Sequence, residues 1–152
     1  MVSPFPSFGE GGLQKKMAAH LAAAIKTPMA GYPAYSLLTG FIGTAWISKA
    51  LSDNGMSEEA YRLLQYEGYP SWLYPVKNGA TTIWERLNSY TVKDGFGENN
   101  SMNSFNHYSF GAVASWMYNY SLGICRDEKS PGFKHFILKP EVDLQTNTIQ
   151  YS

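Results

Sequence analysis

One cysteine, few charges and no long apolar run set the first limits on this 152-residue chain. Cys125 stands alone, which excludes a disulfide framework and a cysteine-built metal site. Charged residues supply only 16% of the sequence, against about 25% in ordinary soluble domains. Twelve basic and twelve acidic side chains cancel, so no electrostatic case exists for nucleic acid or an anionic membrane as partner. No apolar stretch approaches the roughly 18 residues of a membrane span, and "MVSPFPSFGEGG" lacks the basic and apolar regions of a secretion signal. A G-x-S-x-G elbow, a phosphate loop and a dinucleotide fingerprint are also missing.

Aromatic residues are plentiful at 15%, including four Trp and eleven Tyr. Flat rings in that proportion suit a covered surface or a ring-lined pocket. The length suffices for one domain with a core. Apolar spacing predicts a helix over Leu13, Met17, Leu21, Ala24 and Ile25, stopped by Thr27-Pro28. Helical spacing resumes over Phe41, Ile42, Ala45, Trp46 and Ala50, with Asn54-Gly55 as a left-handed stop. Ser57 reads as an N-cap with Met56 and Tyr61 as a hydrophobic staple, opening a helix that ends near Gly68. "GYPSWLYPVKNG" reads as an ordered loop, Ile83 to Tyr90 as a short helix, and "VKDGFGENNSMN" as a loop. Ser104 to Ile124 is apolar on more than one face and predicts a largely buried helix. "FKHFILKPEVD" and "TNTIQYS" read as strands with few partners in the chain. Three or four antiparallel helices, long aromatic loops and a β tail result, with no sequence repeat. Loops of that length between helices are usually functional.

The stretch "ATTIWERLN" carries the most chemistry. Thr82-Ile83-Trp84-Glu85 fits a T-x-x-E capping box, in which Thr82 and Glu85 cap the helix reciprocally. The spacing alone favours the cap; the competing reading is a catalytic or sugar-binding carboxylate, because Trp84 offers a stacking face and Arg86 a charge that can hold the acid ionised. His107 is expected one turn into the long helix behind an Asn103 cap, either as a satisfied structural residue or as a ligand contact. Asn103 and Asn106 beside it carry the amides that read hydroxyl groups. His20 and His135 have no carboxylate or cysteine at ligand spacing, so no zinc site is expected. Asp94, Glu98 and Asn99 lack the ordering of a calcium loop and read as a solvated turn. The N-x-S triplets at Asn99 and Asn119 are short enough to arise by chance, and Asn119 falls in the helix expected to be buried.

"NGATTIWERLNS" followed by "SMNSFNHYSFGAV" resembles the bacterial α-L-rhamnosidases of glycoside hydrolase family 78. "LLTGFIGT", "AYRLLQYEGYPSWLYPVKNGATTIWE" and "SPGFKHFILKPEV" extend the resemblance, in order, over residues 37 to 143. It implies a mainly α chain, the last third to half of an (α/α)6 toroid, with a short C-terminal β segment. Residues 1–126 would belong to the barrel and 127–152 to the start of a β-sandwich or its linker. The implied activity is hydrolysis of terminal α-L-rhamnosides with inversion, with Glu85 as general base and His107 in the sugar pocket. Trp84, Arg86 and Asn106 are the further substrate-site candidates; no metal or cofactor is implied. The implied partner is a rhamnose-containing oligosaccharide or glycoside. Inverting enzymes place two carboxyls about 6.5–9.5 Å apart, and the resemblance puts the general acid upstream of this chain. The family's W-E-R-W-D becomes Trp84-Glu85-Arg86-Leu87-Asn88 here, which alters the pocket wall but leaves the acid intact. The isolated chain is therefore expected to be inactive, and exposed inner helix faces predict self-association. A different class remains open, a non-catalytic helical module that binds carbohydrate or protein, with Glu85 as a cap only.

Overall fold

A computed structural model describes residues 11–97 and 101–143. It is mainly helical, with a two-stranded antiparallel sheet near the C-terminal end. Helix α1 spans Gly11–Lys26 and stops where Pro28 forbids the next turn. Its buried face is Ala18, Ala22 and Ile25, while Leu13 and Met17 of the expected stripe lie exposed. Small side chains let α1 approach α3 (Ile47–Ser52) and α4 (Ser57–Gln65) closely, and Lys26 pairs with Glu59 across the α1–α4 contact.

The helix expected from Phe41 onward is divided. One turn, α2 (Phe41–Thr44), precedes α3, and the break falls at Ala45-Trp46. Gly55 takes φ 77° and closes α3, as the Asn54-Gly55 pair predicts. Ser57 is not a cap. It is the first residue of α4, behind Met56, and its hydroxyl bonds Ser52 Oγ at 2.7 Å and the Glu141 carboxylate instead. Leu51, Ala60 and Leu63 are wholly buried between α3 and α4, each Leu contributing about 1.5–3 kcal/mol by burial.

"GYPSWLYPVKNG" holds a helix that its prolines concealed, α5 (Leu73–Lys77). Pro75 falls in the first turn, where a backbone N–H has no intrahelical acceptor and its loss costs nothing. Tyr74 N donates to Ser71 Oγ at 3.1 Å, and Gly79 at φ 89° follows the helix end. Trp72 projects into the core and donates from Nε1 to Phe110 O at 2.8 Å.

The expected Ile83–Tyr90 helix does not form. Its backbone groups are taken by residues 104–107, described below, so the i→i−4 ladder never starts. For the same reason the last helical run begins at Ser109 and not at Ser104. It passes from a 3-10 turn (Ser109–Ala112) through α6 (Val113–Trp116) to a π turn (Met117–Ser121). Ser109, Phe110, Val113 and Trp116 are buried, and Ser115, Met117, Tyr118 and Asn119 are exposed, so this run is amphipathic. Trp116 Nε1 donates to Ser52 Oγ at 2.9 Å, tying the run to α3.

Strands β1 (Ile124–Arg126) and β2 (Phe136–Leu138) pair in the register Ile124↔Leu138, Cys125↔Ile137, Arg126↔Phe136. The strand over residues 136–138 thus has a partner, drawn from the end of the expected helix. "TNTIQYS" lies outside the described residues. Beyond β2 the chain forms a strap. Lys139 N donates to Gly123 O at 2.8 Å and Glu141 N to Tyr120 O at 2.9 Å. Tyr61 Oη donates to Glu141 O at 2.6 Å and Gln65 Nε2 to Asp143 at 2.9 Å. The strap therefore joins residues 120 and 123 to α4.

Candidate functional site

Two loops meet at one edge of the helical core. Glu85 N donates to Ser104 O at 2.8 Å, and the Glu85 carboxylate accepts from Ser104 N at 2.9 Å. His107 N donates to Ile83 O at 2.8 Å, and Thr82 Oγ1 donates to Phe105 O. This antiparallel pairing replaces the capping box. The Thr82 hydroxyl serves Phe105 and not the Glu85 amide, and the Glu85 carboxylate fastens a residue 19 positions later.

Side chains along the first loop divide between core and solvent. Trp84 is buried, with its ring edge-to-face on Phe105 at 5.1 Å and on Tyr90 at 6.4 Å. Phe96 closes this aromatic group on Tyr90 at 5.2 Å and Phe105 at 5.6 Å. Such edge-to-face pairs contribute about 0.5–1.5 kcal/mol each beyond burial, and here they anchor the loop that carries Glu85. Leu87 and Ser89 are buried as well, and Ser89 N and Oγ both donate to Arg86 O. Arg86 and Glu85 are half-buried.

On the second loop, Asn106 is exposed and its backbone N–H donates to Ser104 Oγ at 3.2 Å. His107 precedes the helical run and does not sit within it. Ser109 N donates to His107 Nδ1 at 3.4 Å, so the imidazole serves the first turn as an acceptor. Its ring stacks on Phe41 at 4.9 Å and on Tyr108 at 5.4 Å. Asn103, expected as a cap, reaches instead to Ser89 O at 3.5 Å. The structure thus brings Glu85, Asn106 and His107 onto paired loops. Trp84 is buried beside Glu85 on the first loop, and the charge of Arg86 acts on Tyr69.

A cleft of about 310 Å³ lies alongside, lined by Tyr69, Tyr74, Asn88, Thr91, Asp94 and glycines 95 and 97. Burial, then the neighbouring phenols of Tyr32 and Tyr74, push the Tyr69 hydroxyl up, while Arg86 pulls it down. Neither Glu85 nor His107 lines this space. Sequence reasoning overlooked Ser104, Phe105 and Phe41 as partners of the site. Phe41 was legible only as an apolar helix position and Phe105 only as part of the apolar run from Ser104.

Among the described residues, no group of three or more His, Cys, Asp or Glu side chains could hold a metal ion. One pairing escaped the spacing argument, His135 Nδ1 on Asp127 Oδ2 at 2.7 Å. The Lys129 amide, then His135, hold that carboxyl below its ordinary range against a slight opposing burial. Among the described residues, no helix is long and apolar enough to cross a membrane.

A mainly helical domain whose loops carry a carboxylate and an imidazole at one edge is the class these features define. The family model for the bacterial alpha-L-rhamnosidase 6 hairpin glycosidase domain matches residues 11–121, and the chain belongs to that family. It is 44% identical over 106 residues to an α-L-rhamnosidase of Alteromonas sp. (strain LOR), covering 70% of this chain and 11% of that protein. Against an α-L-rhamnosidase of Formosa agariphila it is 50% identical over 88 residues, covering 58% and 9%. The crystal structure of the Streptomyces avermitilis α-L-rhamnosidase complexed with L-rhamnose superimposes with a TM-score of 0.75 at 39% identity, covering 87% of this chain and 12% of that one. The Aspergillus terreus α-L-rhamnosidase gives 0.74 at 32% identity, covering 87% and 14%. The chain spans about a tenth of the length of these relatives.

Proposed function

We propose that this chain is part of a glycoside hydrolase that cleaves terminal α-L-rhamnosides with inversion, and that Glu85 is its general base. The pairing of residues 82–85 with residues 104–107 carries the reading, because it assembles the Glu85 carboxylate and His107 at one edge. In an inverting reaction Glu85 takes a proton from the attacking water while a second carboxyl protonates the leaving oxygen. His107 and Asn106 contact the sugar hydroxyls, Arg86 is a further substrate-site group, and the buried Trp84 shapes the wall from below. The helices form the last third to half of an (α/α)6 toroid, and residues 127–152 lead toward a β-sandwich. The general acid lies in a part of the catalytic domain outside these residues, so the chain alone does not turn over.

One observation favours a second reading. The Glu85 carboxylate already accepts a backbone N–H from Ser104, the work of a loop-fastening group in a non-catalytic module. A graft decides between them. Residues 37–143 replace the matching segment of the Streptomyces avermitilis enzyme, and hydrolysis of an aryl α-L-rhamnoside is measured. The graft is expected to be active and its Glu85→Gln variant to lose about 10²–10⁴-fold in kcat. Near-normal turnover in the Glu85→Gln graft refutes the base assignment.

A further inference from the structure

The short segment Thr39-Gly40-Phe41-Ile42-Gly43-Thr44 is built more tightly than its length requires. Thr44 is buried at 2% exposure, and its N and Oγ1 both donate to Gly40 O at 3.0 Å. The Thr39 and Thr44 hydroxyls bond each other at 2.8 Å. A Cβ on Gly43 would stand 3.1 Å from Thr39 Cβ, so the turn is packed against its own entry residue. The result is a rigid one-turn mount for Phe41, a residue that remains 37% exposed.

That ring lies on His107 at 4.9 Å with 27° between planes, and edge-to-face on Phe110 at 5.3 Å and 74°. Phe110 belongs to the core, so Phe41 is braced from behind and presents its face to the imidazole. Ser109 N donates to His107 Nδ1 at 3.4 Å. An imidazole nitrogen that accepts a hydrogen bond carries no proton, so the neutral ring holds its proton on Nε2. Rotation about Cβ–Cγ, which would put Cδ2 where Nδ1 accepts from Ser109 N and so release the tautomer, is opposed by the stacked Phe41.

We propose that Phe41 is a positioning residue, which holds the His107 ring so that its Nε2–H is the donor offered to a sugar hydroxyl. The proposal rests on the reading of His107 as a sugar contact. It adds a device 66 positions away in sequence that fixes the tautomer and orientation of that contact. Fixing a donor before the ligand arrives removes an ordering cost from binding.

The test is a long-range ¹⁵N–¹H correlation spectrum of the labelled full chain at mildly alkaline pH, which reports the tautomer of each imidazole. The exposed His20 serves as the internal reference for an averaging ring. His107 is expected to show a pure Nε2–H pattern that shifts toward the His20 pattern in Phe41→Leu and is retained in Phe41→Tyr. The indole signals of Trp72 and Trp116 report whether the core is intact, and Phe41→Met replaces Phe41→Leu if they are lost. A His107 pattern equal to that of His20 in the unmodified chain overturns the proposal. So does an unchanged pattern in Phe41→Leu, or loss of the pattern in Phe41→Tyr. No substrate enters this measurement, so its outcome is independent of the turnover assay that decides the role of Glu85.

Discussion

Replacing Glu85 separates fastening from catalysis because the two roles use different properties of the same carboxylate. Fastening needs an acceptor for Ser104 N–H, 2.9 Å away. Catalysis needs a base. Hydrogen bonds to charged groups contribute about 1.5–3 kcal/mol when shielded, and this one is exposed to solvent, which brings it to about 1 kcal/mol. Gln keeps an acceptor oxygen at the same reach, so Glu85→Gln is expected to cost under about 1 kcal/mol. Glu85→Ala abandons the bond and costs about 1–2 kcal/mol. For a chain of this size each kcal/mol lowers Tm by about 2–4 °C. Glu85→Gln should therefore melt within about 4 °C of the unmodified chain. Leu63→Ala, which empties a fully buried site, should cost about 2–5 kcal/mol and provides the scale. Thermal unfolding followed by circular dichroism measures all three. If Glu85→Gln fell as far as Leu63→Ala, the side chain would be structural, and the partition argued above would be refuted.

Three further outcomes follow from the same geometry. Gly123→Ala meets two obstacles, φ +67° and a new Cβ only 2.1 Å from the Lys139 carbonyl carbon; it should cost at least about 2 kcal/mol and free residues 139–143, read by urea denaturation and by proteolysis at the strap. Burial opposes ionisation of Glu59, but the hydrogen bond from Lys26, its backbone amide and the charges of Lys26 and Arg62 outweigh it, so the carboxyl stays below its ordinary value. Its contribution is present above the unfolded pKa and lost as pH falls through the folded one. Urea midpoints should drop on the acid side, and Lys26→Met should flatten that limb. Finally, Ile42 at 84%, Tyr108 at 85% and Met17 at 65% leave large side chains in water; we expect reversible self-association, and sedimentation velocity showing one monomeric species over a wide concentration range would contradict it.

Local signals were read well where one nearby group decides the outcome. Pro28 ends α1 and Gly55 ends α3, each by forces acting within a few residues. The errors share a cause. The T-x-x-E spacing of Thr82 and Glu85 satisfies a helix start, and Ser104 to Ile124 has the hydrophobicity of one long helix. Both expectations failed because residues 82–85 and 104–107 satisfy each other's backbone groups. A pairing between segments about twenty residues apart leaves no mark on the spacing within either one. Ser57 failed as a cap for a similar reason, since its hydroxyl answers Glu141 from the far end of the chain.

The sequence by itself determined the family, through motifs held in order from "LLTGFIGT" to "SPGFKHFILKPEV". It also singled out Glu85 and His107, because an acid between Trp84 and Arg86 and a histidine beside Asn106 are chemically conspicuous wherever they lie. Only the tertiary structure decided that both stand on paired loops and not on helices, and that Phe41 braces the imidazole. Residue chemistry is carried by the chain, whereas orientation depends on which distant segment supplies the hydrogen-bond partner or the packing ring.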